Sequence, residues 1–260
     1  MNKRIQILTI LAMLLLQITP AQAQSFNSVT HIHNVKTFGE KILMGTHEGL
    51  FQFISQNNMS PIGKDPFDVM GLDADGLTLF ASGHPSVGSK LPNPLGLLRS
   101  TDGGKTWKSI SLLGEVDFHS LEVSGNQIYG SNATEGLLMY SKNFGKSWKK
   151  IGADRFSDIA ILTGTPGSAV ALQSGKLFKT SNNFNSATEL KFKFTISAVE
   201  SIEKELYIAS QDKIYRSLDQ GGSWKLFRSF KEEIADISAS SKQLAVVVGG
   251  EVLTAKLKRG

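Results

Sequence analysis

Short segments of alternating apolar and polar residues, separated by turn residues, repeat along most of this chain. Residues 31–38, 41–46 and 49–54 form the first group, and each segment has the length and composition of a β-strand. Similar groups begin near Phe67, Val116, Phe156, Ile196 and Ile234. A repeat of about 38 to 40 residues is typical of a four-stranded propeller blade. The pattern therefore predicts an all-β protein, a six-bladed β-propeller, with no long helix in the domain.

One turn sequence recurs in three of these groups. Its first copy, Ser-Thr-Asp-Gly-Gly-Lys-Thr-Trp, occupies residues 100–107. The short acid can accept hydrogen bonds from amides just ahead of it, the glycine tolerates positive φ, and the tryptophan supplies apolar surface over the turn. The three copies place these features at Ser100, Asp102, Gly104 and Trp107; at Ser141, Asn143, Gly145 and Trp148; and at Ser217, Asp219, Gly221 and Trp224.

The spacing of the copies predicts a fourth one. The first two copies start 41 residues apart, and the second and third start 76 residues apart, which is about twice the repeat length. A further copy is expected near residue 180, where residues 181–186 place Asn185 at the glycine position and lack the tryptophan. Asparagine is the next most tolerant residue for positive φ. In the first group the motif is reduced to residues 55–58.

The turn pattern Ser-x-Asp-x-Gly-x-Thr-Trp resembles the Asp-box, or bacterial neuraminidase repeat, of sialidases, sortilin-type receptors and photosystem assembly factors. Residues 46–51, 82–85, 93–97 and 117–121 also resemble a family of exported bacterial glycosyl hydrolase-like proteins. The resemblance implies that each Asp-box lies between the third and fourth strands of a blade, on the face opposite the ligand-binding one. It therefore implies a structural role for the Asp-box residues.

The start of the chain predicts export. Lys3 and Arg4, the apolar run 5–18 and the small residues at 21 and 23 are typical of a secretory signal peptide, to which residues 1–23 are assigned. Residues 24–260 are then expected to form one propeller domain, a periplasmic or secreted monomer without a membrane span.

Two features of the domain sequence depart from a regular repeat. The last group, from Ile234, shows only three strands, and residues 25–30 are expected to supply the fourth and close the ring. The second group carries an insertion from Ser82 to Pro94, rich in glycine, proline and serine, that is predicted to form a loop over the channel mouth.

Composition narrows the range of functions. The net charge of +5 comes from scattered basic residues with no basic run interleaved with aromatics, so no nucleic-acid partner is expected. The chain has no cysteine, which excludes disulfides, thiolate metal ligands and a cysteine nucleophile. It also lacks a phosphate-binding loop, a dinucleotide-binding glycine motif and a nucleophile elbow.

Aligning the first strand of each group predicts two rings of channel-facing side chains, because alternate strand residues share a face. The outer ring is His31, Asp68, Asp117, Asp158, Ala198 and Asp236. The next ring is His33, Met70, His119, Ala160, Glu200 and Ser238. His47 and His84 follow the second strands of the first two groups and are expected at the same mouth. All five histidines of the chain would then lie together.

Histidine with carboxylate is a ligand set of transition metals, so a zinc or copper site is predicted at His31, His33, His119 and Asp117, and Met70 would suit copper. His47, His84 and Arg155 are the predicted contacts of a small polar ligand. Asp68, Asp117, Asp158 and Glu200 are candidate catalytic carboxylates, since a glycosidase needs two. A channel lined with polar residues for structural reasons alone is a further alternative.

Sialidases clamp a sugar carboxylate with three arginines, and that clamp cannot be assembled here. Arg99 and Arg216 directly precede Asp-box serines and therefore lie at the wrong face. The leading interpretation is an exported propeller whose mouth binds a transition metal or a small polar ligand such as a glycan. A glycosidase-type hydrolase and a scaffold that docks another exported protein remain as alternatives.

Overall fold

The computed structural model describes residues 29–56, 58–152 and 156–257, and these residues form 23 β-strands. The strands make six small antiparallel sheets, each with its strands in sequence order. The prediction of an all-β, six-bladed propeller is confirmed. Within this part of the chain there is no helix, and therefore none that could cross a membrane.

Five blades have four strands each, and the described residues of the sixth have three. The first blade contains β1 (Ile32–Phe38), β2 (Lys41–Thr46), β3 (Gly49–Ser55) and β4 (Asn58–Ile62). The second contains β5 (Phe67–Asp75), β6 (Thr78–Pro85), β7 (Leu97–Ser100) and β8 (Lys108–Ser111). The third contains β9 (Phe118–Ser124), β10 (Gln127–Asn132), β11 (Leu137–Ser141) and β12 (Lys149–Ile151).

The fourth blade contains β13 (Asp158–Ile161), β14 (Ala169–Gln173), β15 (Lys176–Thr180) and β16 (Thr188–Leu190). The fifth contains β17 (Ala198–Ile202), β18 (Glu205–Ser210), β19 (Lys213–Ser217) and β20 (Lys225–Ser229). The sixth contains β21 (Ile234–Ala239), β22 (Gln243–Val248) and β23 (Glu251–Lys256). The predicted insertion is shorter than expected, because β6 continues through Pro85 and the loop begins at residue 86.

The first strand of every blade is innermost, and each contacts the first strand of the next blade around a central channel. An apolar cluster fills each of the six interfaces between blades. One cluster joins Leu43 of the first blade to Val69 of the second. Another joins Val35 of the first blade to Val247 of the sixth, so the ring is closed by side-chain packing.

The predicted closing strand, residues 25–30, falls mostly outside the described residues, as does the whole predicted signal peptide. Val29 packs against the cluster between the sixth and first blades. The Thr30 hydroxyl donates a hydrogen bond of 2.6 Å to Glu48. The closing strand and the signal peptide therefore stay predictions.

The three predicted Asp-box turns share one hydrogen-bond pattern. In the first, Ser100 Oγ donates to Asp102 (2.7 Å) and accepts the Gly104 amide (2.9 Å). Asp102 accepts the amide and the hydroxyl of Thr106, at 3.0 and 2.6 Å. The same bonds recur in the turn at Ser217. They recur in the turn at Ser141 as well, except that Asn143 Nδ2 donates a hydrogen bond to the Ser147 hydroxyl. The glycine is required because its φ is positive and a Cβ at Gly104 would overlap Leu50.

The fourth copy is present, but its predicted register is wrong by one residue. Thr180 takes the place of the serine and Asn182 that of the acid, so Phe184 stands at the glycine position instead of Asn185. Phe184 has a φ of +57°, which is costly for a residue with a Cβ. Its ring packs on Tyr129 and Phe156, and this burial offsets the backbone cost.

Hydrogen bonds from Ser217 and then Ser223 lower the pKa of the exposed Asp219 carboxyl to about 2. Because this pKa lies below that of the unfolded chain, the bonds stabilise the turn above about pH 4 and their effect is lost as pH falls towards 2. Asn143 makes equivalent bonds in the third blade, so Asp219→Asn is expected to keep the turn and lose this pH dependence.

The measurement is the melting temperature of Asp219→Asn and the parent protein between pH 2 and 6. The difference between the two is expected to shrink as the pH falls through 4. Asp75→Asn, at the exposed end of β5, is the control. A difference that stays constant across this range would show that the Asp219 charge contributes nothing.

Candidate functional site

The inner strand of each of the first three blades contains a β-bulge, which changes the direction in which one side chain points. His33, Met70 and His119 have no partner across the first hairpin, because their neighbours on either side pair with consecutive residues of the second strand. A bulge interrupts the alternation of side chains and changes the direction in which one of them points. Alternation alone therefore mispredicts the inner strands of these blades.

The two predicted rings are wrong because they align the blades at the strand starts, whereas the inner strands of the first three blades are longer than those of the last three. Asp236 accepts the amide of Val35 at 2.8 Å, and Ser238 accepts the amide of Thr37 at 3.0 Å. Asp236 and Ser238 therefore lie beside Val35 and Thr37, four residues further along β1 than His31 and His33, with which the predicted rings aligned them. Glu200 likewise lies 3.5 Å from Lys36.

Four side chains from the first two blades form what we call the His33 group: His31, His33, His47 and Asp68. His33 Nε2 lies 3.2 Å from His47 Nδ1 and 3.0 Å from Asp68 Oδ1. His47 Nδ1 lies 3.0 Å from Asp68 Oδ2. His31 approaches from the other side of His33, with 3.2 Å between their Nδ1 atoms. Burial lowers the pKa of His33, which favours its neutral, metal-binding form.

Three side chains from the second and third blades form what we call the His84 group: His84, Asp117 and His119. His119 Nε2 lies 2.7 Å from Asp117 Oδ2, and His84 Nε2 lies 3.4 Å from the same oxygen. On its other side, His84 Nδ1 contacts Asn93 Oδ1 of the loop between β6 and β7 at 2.8 Å. The hydrogen bond with Asp117 raises the pKa of His119, and the negative charge of Asp68 adds to this effect.

The two groups adjoin each other on the face opposite the Asp-box turns. Asp68 of the first group and His84 of the second are direct cross-strand partners on β5 and β6. The structure thus brings all five histidines to one mouth, but it divides the four predicted metal ligands. His31 and His33 lie in one group, whereas Asp117 and His119 lie in the other.

Of the three predicted ligand contacts, His47 and His84 lie within these groups. Arg155 lies outside the described residues. Met70 occupies the bulge of the second blade but belongs to neither group. The roles assigned to these residues from sequence stay predictions.

The two aspartates give the mouth its negative charge. Asp68 Oδ1 and Asp117 Oδ1 are buried and accept no well-aligned hydrogen bond from any described residue. With neutral imidazoles the two groups together carry a charge of about −2. A buried carboxylate oxygen without a hydrogen-bond donor is costly, and a bound cation would relieve that cost.

The other candidate catalytic carboxylates lie deeper, around a cavity of about 150 Å³ in the channel. Asp158 accepts the amides of Val199 (2.7 Å) and Ile159 (2.9 Å). Glu200 contacts Lys36 and accepts the amide of Ala239 at 3.3 Å. Both carboxyls therefore join neighbouring blades, and burial raises the pKa of each.

These contacts belong to a set of bonds that runs around the channel, in which a polar side chain on each inner strand bonds the backbone of the next. The bonds are Asn34 to Met70 O, Asp73 to Val123 N, Glu122 to Ile161 N, Asp158 to Val199 N, Glu200 to Ala239 N and Asp236 to Val35 N. They satisfy backbone groups on the channel-facing edge of each inner strand, which pairs with another strand of its sheet on one side only.

Sequence reasoning missed a cluster of four charged residues below the mouth. Lys36 Nζ lies 2.5 Å from Asp73 Oδ1, 3.5 Å from Glu200 Oε2 and 4.0 Å from Glu122 Oε2. A signal was present in the sequence. The innermost strand of each of these four blades pairs with the second strand of the same blade. In each case the charged residue lies two positions before the last residue that takes part in this pairing.

Comparison with known proteins agrees with this architecture. Residues 98–109, which contain the first Asp-box turn, match the BNR/Asp-box repeat family. No curated protein matches the chain significantly. Among solved structures, the gluconolactonase XC5397 of Xanthomonas campestris has a TM-score of 0.65 at 8% identity, over 92% of this chain and 99% of that one.

Two further solved structures share the fold. YCF48 bound to D1 peptide has a TM-score of 0.53 at 15% identity, over 93% of this chain and 82% of that one. PorZ, a surface component of the type-IX secretion system of Porphyromonas gingivalis, has a TM-score of 0.56 at 11% identity. The match covers 89% of this chain but only 37% of PorZ. The chain is thus a six-bladed β-propeller that carries a BNR/Asp-box repeat at residues 98–109.

Proposed function

We propose that this protein binds a transition-metal ion, zinc or copper, at the His33 group, with the predicted export placing the site outside the cytoplasm. The observation that carries the proposal is a triangle of ligand atoms. His33 Nε2, His47 Nδ1 and the Asp68 carboxylate lie 3.0–3.2 Å from one another. In a tetrahedral site with bonds of about 2.0–2.1 Å, neighbouring ligand atoms are about 3.3 Å apart.

The chemistry of these atoms also favours a cation. Two imidazole nitrogens that face each other can share at most one hydrogen, and both then face a carboxylate. A metal ion bound by all three groups would replace these contacts with coordination bonds. His31 Nδ1 faces Nδ1 of His33, on the other side of that ring, so His31 is not among the proposed ligands of this ion. The exposed side of His47 leaves room for a small polar ligand to reach the ion.

The proposal is tested on the untagged protein, stripped with a chelator and titrated with zinc and with copper by calorimetry and elemental analysis. His33→Ala is expected to lose the ion bound by this group, with a folded circular dichroism spectrum. Met70→Leu is the matched control, because Met70 occupies the equivalent bulge and lies outside both groups. A folded parent protein that takes up neither metal would overturn the proposal.

Hydrolysis by a metal-activated water is a second candidate function. The observation that favours it is exposure: the His47 side chain is 50% exposed, so an ion held there keeps a side open to water. The likeness to a gluconolactonase makes lactones the first substrates to screen, followed by glycosides. Turnover that depends on added metal and is absent in His33→Ala would support catalysis, whereas metal uptake without turnover would support binding alone.

A further inference from the structure

We infer that the mouth holds a second transition-metal ion, bound by the His84 group independently of the first. This inference extends the proposed function and rests on it, because both sites use the same ligand chemistry. His84, Asp117 and His119 each offer one ligand atom, and these atoms lie within 4.8 Å of one another. None of the three belongs to the His33 group.

The hydrogen bond of His84 defines which of its nitrogens is free. Asn93 Oδ1 is an acceptor, so His84 Nδ1, 2.8 Å away, carries the hydrogen. His84 Nε2 then presents its lone pair to Asp117 Oδ2 across 3.4 Å. Two acceptors that face each other need a cation or a proton between them. A hydrogen bond to the distal nitrogen is also how proteins orient metal-binding histidines, and Asn93 supplies it.

Asp117 is positioned to serve as the central ligand. It lies just before β9, its carbonyl accepts the Ala133 amide at 2.9 Å, and the residue is buried. Its Oδ2 contacts both histidines, while its Oδ1 has no hydrogen-bond donor among the described residues. One carboxylate with two imidazoles is a ligand set of zinc sites, and the solvent-exposed side of His119 leaves a position open.

The second site is expected to bind more weakly than the first. His84 Nε2 lies 3.4 Å from Asp117 Oδ2, farther than any of the 3.0–3.2 Å separations within the triangle of the first group. Asp68 and His84 are cross-strand neighbours, so ions bound by the two groups would lie close together and repel each other. Zinc is therefore expected to bind in two steps, with the His33 group filled first.

The test counts zinc ions per chain in the untagged protein and in variants of each group. The parent protein and Met70→Leu are expected to bind two ions in steps of different affinity. The double variant His84→Ala/His119→Ala is expected to keep the tighter ion only, and His33→Ala the weaker ion only. Asn93→Ala is expected to weaken the second step by about 10- to 100-fold and leave the first unchanged. Circular dichroism checks that each variant is folded.

The outcomes separate the inference from the proposed function. One ion that survives His84→Ala/His119→Ala and is lost in His33→Ala would overturn the second site and leave the first. One ion that is lost in both variants would show a single shared site and overturn the inference. A parent protein that binds no ion would overturn both.

Discussion

Lys36→Met is expected to destabilise the protein by about 3–5 kcal/mol at pH 8, the cost typical of leaving buried charges without their partner. Lys36 is the only cation in contact with Asp73, Glu122 and Glu200 among the described residues. Burial would lower the pKa of Lys36, but the attraction of Asp73 and the two glutamates outweighs it and raises that pKa. Removing the ammonium group leaves three nearly buried carboxylates that repel one another.

The loss is expected to diminish as the pH is lowered from 8 to 5. Burial raises the pKa values of Glu122 and Glu200 above the ordinary value of 4.5, and loss of Lys36 raises them further. The folded variant therefore takes up protons at a higher pH than the unfolded chain, and acid relieves the repulsion. Urea denaturation at pH 8 and pH 5 measures this effect.

Lys242→Met is the control for Lys36→Met. Lys242 is 73% exposed and pairs with the exposed Glu40, so its loss is expected to change stability by less than about 1 kcal/mol. A Lys36→Met variant that loses the same free energy of unfolding at both pH values would show that the effect comes from packing and not from charge.

Gly83→Ala is expected to destabilise the protein by about 4 kcal/mol or more, among the largest effects of single substitutions. Gly83 pairs with Val69 beside the bulge at Met70, and its φ is +155°. A Cβ atom at this position would overlap the carbonyl oxygen of Asp68. Because that atom is backbone, β5 and β6 must separate, and the Asp68–His84 pair that links the two histidine groups moves with them.

Gly76→Ala is the matched control in the same blade. Gly76 has a φ of +58°, but no atom lies within 4 Å of the place its Cβ would take. Its substitution therefore carries only the backbone cost, about 1–2 kcal/mol. Chemical denaturation and zinc titration of both variants give the comparison. Equal losses would mean that the overlap at Gly83 is relieved without moving Asp68.

The Asp-box turns could be predicted from sequence because their interactions are local. Ser100 and Asp102 bond groups within four residues, so the residue types alone specify the turn. The fourth copy shows the limit of this reasoning. Phe184 adopts a left-handed backbone conformation, and its packing on Tyr129 and Phe156 offsets the conformational cost. The residues near Phe184 in the sequence do not indicate this packing.

The channel could be predicted only in part. Propeller topology is enough to place five histidines at one mouth. Their division into two groups depends on bulges at His33 and His119, and no glycine or proline at either position marks a bulge. Counting back from the hairpin turns, instead of forward from the strand starts, would have aligned Lys36 with Glu200.

The bond between Asp236 and Val35 has a consequence for biosynthesis. Bonds between consecutive blades join residues about one repeat apart, such as Glu122 and Ile161, whereas Asp236 and Val35 are 201 residues apart. While the chain is being made, each interface can form once the next blade has emerged, except the last. The Val35 amide and the apolar face of the first blade therefore stay exposed until the final blade has been synthesised. During that interval a sixth blade from another nascent chain competes for the same face, so the first blade is where this propeller is most open to domain swapping.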